Sequence, residues 1–141
     1  MVLACVPGDA FANQRSIAAA RLDGQKFVAF EQGLVIRQKV DRFLAEHGAS
    51  VEVVHEFDNI ETIKKSIEAG AGVAILPEPM LRQEVRAGTL CAVRLEGKPL
   101  IRPLGIIHRR GAELSAATQG FIDLLRGAAA STNGKRHKVR N

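Results

Sequence analysis

Residues 51–77, VEVVHEFDNIETIKKSIEAGAGVAILP, contain three secondary-structure patterns in succession. Polar and apolar residues alternate as far as Phe57, which is typical of a strand. Helical spacing follows, in which apolar residues recur every three or four positions: Ile60, Ile63 and Ile67. Gly70 and Gly72 end this helix, and the apolar run 73–76 predicts a second, buried strand. The stretch therefore predicts a compact β-α-β unit.

The same patterns predict further strands and helices on both sides of this unit. Strands are predicted at residues 2–6, 27–30, 90–95 and 101–108, and helices at residues 34–47, 78–87 and 115–126. Strands that alternate with helices favour right-handed crossovers between parallel strands. The predicted fold class is therefore α/β, with a mostly parallel open sheet flanked by helices.

Charged residues on the predicted helices are expected to lie at the surface. In the helix at residues 34–47, Arg37 and Asp41 fall on the face opposite the apolar side chains. Glu61 and Lys65 have the i, i+4 spacing of a surface ion pair. We therefore expect none of these side chains to contribute to the core.

The positive charge of the chain is concentrated at its carboxyl end. The 141 residues carry a formal net charge of +5, and four basic residues lie in the last seven: Lys135, Arg136, Lys138 and Arg140. Residues 1–130 are nearly neutral, with 16 Lys and Arg against 15 Asp and Glu. We therefore expect residues 128–141 to be a disordered basic tail, with weak contact to phosphate as the alternative.

The sequence lacks the residue patterns that enzymes and metal proteins need. The histidines have neither an i, i+4 partner nor other ligands at metal-binding spacing: His47, His55, His108 and His137. No serine lies in a G-x-S-x-G context, and no glycine-rich phosphate loop follows a strand. Cys5 and Cys91 are far apart in the sequence and are expected to be two buried, reduced thiols and not a disulfide framework. We expect no catalytic residue, metal or cofactor.

Two strand-to-helix junctions are the best candidates for a ligand site. Residues 30–33, Phe-Glu-Gln-Gly, leave one predicted strand, and residues 56–58, Glu-Phe-Asp, leave the next. In an open α/β sheet, ligands collect at the carboxyl ends of strands. Helix N-termini there offer free N–H groups and a partial positive charge. These junctions predict a binding crevice.

Each junction residue also has a simpler explanation. Asp58, three residues before Glu61, fits a capping box at the start of the next helix. Phe57 at a strand end fits a core residue, and Glu31 and Gln32 fit solvated turn residues. The pattern alone leaves both readings open.

Several segments occur in the order seen in one protein family. The strongest are QKFVAF at residues 25–30, DNIETIK at 58–64, EAGAGVAILP at 68–77, GTL at 88–90 and RPLGII at 102–107. Together they resemble the effector-binding region of LysR-type bacterial transcriptional regulators, from the first strand to about Gly127. The resemblance implies a lobe like that of type-II periplasmic binding proteins. Its parts would be a crossing strand or hinge at 1–7, an effector-binding lobe at 8–101, and a return strand and C-terminal helix at 102–127.

The resemblance also implies a function. A small metabolite would bind in the cleft between two lobes, with one wall formed by Phe30, Glu31, Gln32, Gly33, Glu56, Phe57, Asp58, Leu76 and Pro77. Regulators of this kind contact DNA through a winged helix-turn-helix domain, which we expect to be absent from this chain. The last helix carries an apolar stripe, which could fold onto its own sheet, pair with another copy or stay exposed: Ala117, Phe121, Leu124 and Leu125. Because regulators of this family dimerise through helix and strand contacts, the resemblance implies self-association.

Other functions remain open at this point. A small enzyme could use Glu31 or Asp58 as a general base, and a stand-alone binding module could use the same crevice. Acidic residues at the crevice favour a cationic or hydroxylated ligand, whereas the helix N-termini favour an anion. No apolar run approaches the roughly 20 residues that span a membrane, so we expect a cytoplasmic protein without membrane contact.

Overall fold

The computed structural model describes residues 1–101, 105–111 and 113–134, with the backbone alone for residues 129–134. The chain divides into two units, and each is described by itself: residues 1–101 belong to the first and the described residues from 105 onward to the second. Residues 102–104 of a predicted strand and residues 135–141 of the predicted tail lie outside the described residues.

The first unit alternates strands and helices. Its strands are β1 (Val2–Cys5), β2 (Ser16–Ile17), β3 (Lys26–Phe30), β4 (Glu52–Phe57), β5 (Ala74–Leu76) and β6 (Cys91–Leu95). Its helices are α1 (Val35–Glu46), α2 (Ile60–Glu68) and α3 (Arg82–Ala87), with short 3₁₀ turns at Ala19–Leu22 and Glu78–Leu81. The second unit contains α4 (Ala116–Gly134).

The strands form an open sheet in the order β4-β3-β5-β1-β6-β2. A bridge between Phe27 and Val73 joins the β4-β3 pair to the other four strands. Within the described residues, β1 runs antiparallel to both of its neighbours, and the other five strands share one direction. The predicted mostly parallel α/β sheet is confirmed.

The β-α-β unit depends on a close approach of two backbones. Val73 N donates to Lys26 O at 3.0 Å, and Val28 N donates to Val73 O at 2.8 Å. A Cβ on Gly72 would lie 2.3 Å from Lys26 O, and its φ of +153° disfavours other residues. Gly72 therefore does more than end α2, because it lets β5 enter the sheet beside β3.

Helices cover both faces of this sheet, as predicted. Side chains alternate across β1, so its residues contribute to two separate cores. One core combines β1 with α1: Leu3, Cys5, Val40, Phe43 and Leu44. The other combines β1 with α2: Val2, Ala4, Ile63 and Ile67. Burial of these side chains is the main source of stability.

One lysine of α2 is buried beside the second core. Lys64 is 4% exposed, and its Nζ lies 2.7 Å from Glu84 Oε1 and 2.9 Å from Glu61 Oε1. Its Nζ also donates to Met80 O at 3.3 Å. Lys64 therefore ties α2 to the segment that leads from β5 into α3.

The predicted Glu61–Lys65 pair is wrong. Lys65 pairs instead with Glu68, at 2.6 Å, and Glu61 pairs with Lys64. The reason is that Lys64 follows Ile60 by four positions and so lies on the apolar side of α2. A buried ammonium needs anionic partners, which the nearest carboxylates provide.

The second unit differs from the prediction at both ends. Residues 105–108, part of the strand predicted at 101–108, do not form a strand, and Ile107 is 95% exposed. The last helix extends to Gly134 and so includes residues 128–134, which were predicted as tail. The alanine-rich sequence at 128–130 favours this extension. No helix in the described residues is long and apolar enough to cross a membrane.

Replacing Lys64 with Met is expected to destabilise the first unit by about 3 kcal/mol, because Glu84 would stay buried without its partner. The two side chains are 5% and 12% exposed. Lys65→Met is the matched control, since the Lys65 side chain is 75% exposed. Urea unfolding should show a much larger loss for Lys64→Met, and equal losses in both variants would contradict this role.

The destabilisation by Lys64→Met is expected to shrink in acid. The hydrogen bond from Lys64 lowers the pKa of Glu84 below its usual 4.5. A carboxylate with a lowered folded-state pKa contributes its stability above the unfolded-state pKa and loses it as the pH falls through the lower value. Urea unfolding of wild type and variant between about pH 7 and about pH 3 checks this pattern, and a constant difference would contradict it.

Candidate functional site

The carboxyl ends of β3 and β4 lie side by side. Phe30 pairs with Phe57 in register, and Glu31 N donates to Phe57 O at 2.9 Å. The structure therefore brings the two predicted junctions together, and β5 ends at the same side of the sheet. We call residues 30–34, 56–59 and 76–77 the carboxyl edge.

The predicted wall residues divide into surface and core positions. Phe30 is 5% exposed and Leu76 is fully buried, because both face the α2 side of the sheet. They belong to the core on the α2 side of the sheet, next to the carboxyl edge. The remaining predicted residues reach its surface: Phe57 and Pro77 are half-buried, and Glu31, Gln32, Gly33, Glu56 and Asp58 are exposed.

An arginine that was predicted on a polar surface is buried beneath this edge. Arg37 is 9% exposed. Its Nη1 donates to Glu56 Oε1 at 2.6 Å and to Phe30 O at 2.7 Å, and its Nε donates to both carboxylate oxygens of Asp41, at 2.8 and 2.9 Å. Arg37 therefore holds α1 against the ends of β3 and β4.

The charge of Arg37 is compensated within the protein. Burial alone would lower the pKa of Arg37, but hydrogen bonds to Glu56 and Asp41 raise it above its usual value. The carboxylate of Glu56 is used in this pair, so this predicted effector residue has an internal partner. The spacing of Arg37 to Val40 and Leu44 on the helix is the sequence signal for its burial.

The amino terminus of α1 lacks a side-chain cap. Gly33 has a φ of +92°, and the N-cap Leu34 has an extended backbone and no side-chain oxygen. The first backbone hydrogen bond of the helix joins Gln38 N to Leu34 O, at 3.2 Å. The N–H groups at 35–37 precede it, and the first turn contains no acidic residue. This terminus has the partial positive charge that attracts an anion.

The amino terminus of α2 is capped by Asn59, and the predicted capping box at Asp58 is wrong. Asn59 Oδ1 accepts hydrogen bonds from Thr62 N and Thr62 Oγ1, both at 2.8 Å. Asp58 Oδ1 accepts a hydrogen bond from Asn59 Nδ2, also at 2.8 Å, and so orients the capping amide. Of the two α-helices that begin at the carboxyl edge in the described residues, α2 therefore has a side-chain cap and α1 has none; the 3₁₀ turn after Pro77 has none either.

A model of the LysR substrate binding domain family matches residues 1–130 of the chain. The RuBisCO operon transcriptional regulator of Allochromatium vinosum is 28% identical over 130 residues, which are 92% of this chain and 43% of that regulator. The transcriptional activator CmpR of Synechocystis is 30% identical over 112 residues, which are 79% of this chain and 37% of CmpR. The chain thus spans less than half the length of these relatives.

Solved structures show the same fold. The regulatory domain of CcmR from Synechocystis, in complex with 2-PG, is 26% identical, with a TM-score of 0.75 over 90% of this chain and 61% of that one. The effector-binding domain of QuiR, in complex with shikimate, is 14% identical, with a TM-score of 0.67, and shares the fold. On the family match, the chain belongs to the LysR substrate binding domain family, which is found in LysR-type transcriptional regulators.

Proposed function

We propose that this chain is the effector-sensing part of a cytoplasmic LysR-type transcriptional regulator. A small metabolite binds at the carboxyl edge, and the chain associates with a second copy. Contact with DNA is assigned to a separate winged helix-turn-helix domain, not to these residues. The relatives are transcriptional regulators, which excludes the predicted alternative of an enzyme that uses Glu31 or Asp58 as a general base.

The uncapped amino terminus of α1 is the main observation that supports the effector proposal. Its free N–H groups adjoin the exposed side chain of Gln32 and Gly33, whose φ is positive. An anionic group of about the size of a carboxylate or phosphate fits this arrangement. The 2-PG complex of the CcmR regulatory domain, the similar structure described above, supports a small-molecule effector.

Two of the three acidic side chains at the carboxyl edge already have partners within the protein. Glu56 is paired with Arg37, so its charge is not available to a ligand. Asp58 is used in part to orient Asn59. The remaining acidic side chain beside the α1 terminus is Glu31. Its carboxylate can accept hydrogen bonds from the hydroxyl groups of a ligand. We therefore propose a small hydroxylated or phosphorylated carboxylate as the effector class.

Self-association is supported by an unpaired sheet edge. In the described residues, β4 pairs with β3 alone, so its outer edge presents free N–H and C=O groups. Val53 on β4 is 39% exposed, and a groove of about 450 Å³ lies beside it, lined in part by Arg37, Asp41 and Val51. A second copy that adds its own β4 to this edge would satisfy these groups.

The predicted apolar stripe of α4 is a second exposed surface. Phe121, Leu124 and Leu125 are 61%, 73% and 44% exposed, whereas Ile122 between them is buried. Ala117 is also exposed. Such a face on a helix is suited to a protein partner. We assign the contact between copies to β4, because strand pairing satisfies backbone groups as well as apolar side chains.

A negative charge at the first residue of α1 is expected to weaken effector binding. Val35 is 68% exposed, so Val35→Glu should fold and should raise stability by about 0.5 kcal/mol through the helix dipole. We expect about tenfold weaker binding of 2-PG, equivalent to about 1.4 kcal/mol, in titration calorimetry. Val35→Gln, of equal size and no charge, is the control and should bind like wild type.

Two outcomes would contradict the site. Unchanged binding in Val35→Glu would show that the anion lies elsewhere, and equal losses in both variants would show that shape matters at this position and charge does not. Shikimate, inorganic phosphate and a diamine serve as the comparison ligands. Binding of the diamine alone would contradict the anionic effector class.

A charge on the outer edge of β4 is expected to disrupt self-association. Wild-type protein should be dimeric at micromolar concentrations in size-exclusion chromatography with light scattering, and Val53→Lys should be monomeric. Val85→Lys, at a 45% exposed position of α3, is the control and should remain dimeric. A monomeric wild type, or dimers that only Phe121→Lys disrupts, would contradict the assignment to β4.

A further inference from the structure

The two cysteines, which are far apart in the sequence, face each other across two strands. β1 and β6 are antiparallel, and their register places Cys5 directly opposite Cys91. Side chains of directly opposed residues project from the same face of a sheet. Both cysteines accordingly pack in the same core cluster, together with Leu3 and Val93. The two thiols are therefore neighbours.

The backbone at this pair already has the spacing that a disulfide needs. Directly opposed residues in an antiparallel ladder have Cα atoms about 4.5–5.5 Å apart. Disulfide-linked cysteines have Cα atoms about 4.4–6.8 Å apart. Both cysteines are free thiols in this structure. A bond between Cys5 and Cys91 thus requires side-chain rotation and little movement of the strands.

The two thiols differ in their access to solvent. Cys91 is half-buried, whereas Cys5 is fully buried. Burial, followed by the charges of Asp9 and Cys91, raises the pKa of Cys5 to about 12. The Cys5 thiol therefore stays protonated at neutral pH. An oxidant in solution therefore reaches the partly exposed Cys91 before Cys5.

We propose that Cys5 and Cys91 form a redox-active dithiol that a hydroperoxide converts into a cross-strand disulfide. The Cys91 thiolate attacks the terminal peroxide oxygen, the O–O bond breaks, and the leaving oxygen takes up a proton, which gives a sulfenic acid. The Cys5 sulfur then attacks the Cys91 sulfur and loses its proton, the S–O bond breaks, and water leaves. Two thiol hydrogens and two electrons pass to the peroxide.

The bond would fix β1 within the sheet. β1 lies between β5, which ends at the carboxyl edge, and β6. Covalent attachment of β1 to β6 closes a loop that contains β2 to β5 and most of the first unit. A cross-link of this kind restricts the unfolded chain, so the oxidised form should unfold at a higher urea concentration than the reduced form. This inference does not depend on the effector.

Oxidation followed by thiol blocking tests the dithiol directly. The reduced 141-residue chain is treated with hydrogen peroxide, denatured, alkylated and analysed by intact mass and by tryptic mapping. We expect a monomer that has lost two hydrogens and takes up no alkyl group. The tryptic peptides 1–15 and 87–94 should be linked to each other until a reductant is added.

Two alanine variants show which sulfur reacts first. Cys5→Ala should stop at a Cys91 sulfenic acid that dimedone traps, and Cys91→Ala should leave Cys5 free to be alkylated after denaturation. If either variant fails to fold, the oxidation experiment on the wild-type chain still tests the proposal. Alkylation of both cysteines after peroxide treatment would overturn the proposal. So would disulfides formed only between chains, or further oxidation of Cys91 while Cys5 remains alkylatable.

Discussion

The fit of β5 beside β3 is the constraint on which the rest of the first unit depends. The backbone of Gly72 lies so close to Lys26 that a Cβ at this position would overlap the Lys26 carbonyl. Because of this approach, Val73 exchanges hydrogen bonds with the backbone of β3, and the β4-β3 pair joins the remaining four strands. Without this junction, the end of β5 would not join the paired ends of β3 and β4 in one edge.

Two buried cations attach helices of the first unit to neighbouring segments. Arg37 fixes α1 to the last residues of β3 and β4, and Lys64 fixes α2 to the segment after β5. Buried ion pairs add little net stability, because the desolvation of two charges offsets most of their attraction. Their removal one partner at a time is costly, however, and their directional hydrogen bonds select one arrangement of the helices. Arg37 therefore sets the geometry of the carboxyl edge, and Lys64 sets the placement of α2 on the segment after β5, more than either stabilises the fold.

Local patterns in the sequence were sufficient to predict the fold, since the β-α-β unit and its helices each depend on residues a few positions apart. The same patterns predicted which residues follow the strands, so the junctions at 30–33 and 56–58 were found. They could not predict which side chains point into a core. Phe30 and Leu76 belong to strands whose two faces are both covered, and apolar runs of this kind carry no alternation that reveals direction.

The features that the sequence did not reveal depend on contacts between distant segments. α2 begins at Ile60, so its N-cap is Asn59 and not Asp58. Capping signals in a sequence do not locate a helix start to within one residue. The pairing of Cys5 with Cys91 requires the register of β1 against β6, which no local pattern contains. Of the six strands, only β1 runs against its neighbours in the described residues.

The reversed direction of β1 brings its amino end to the carboxyl edge. Right-handed crossovers connect parallel strands, so the helices of the unit can order β3, β4 and β5 without involving β1. Val2 of β1 nevertheless pairs with Leu76, the last residue of β5, and thus reaches the carboxyl edge from the opposite direction. A ligand that binds at the edge and a bond at the other end of β1 would act on the same strand. If the proposed ligand site and the proposed disulfide both exist, β1 is the strand that they share, and coupling between them would have to be measured with each variant.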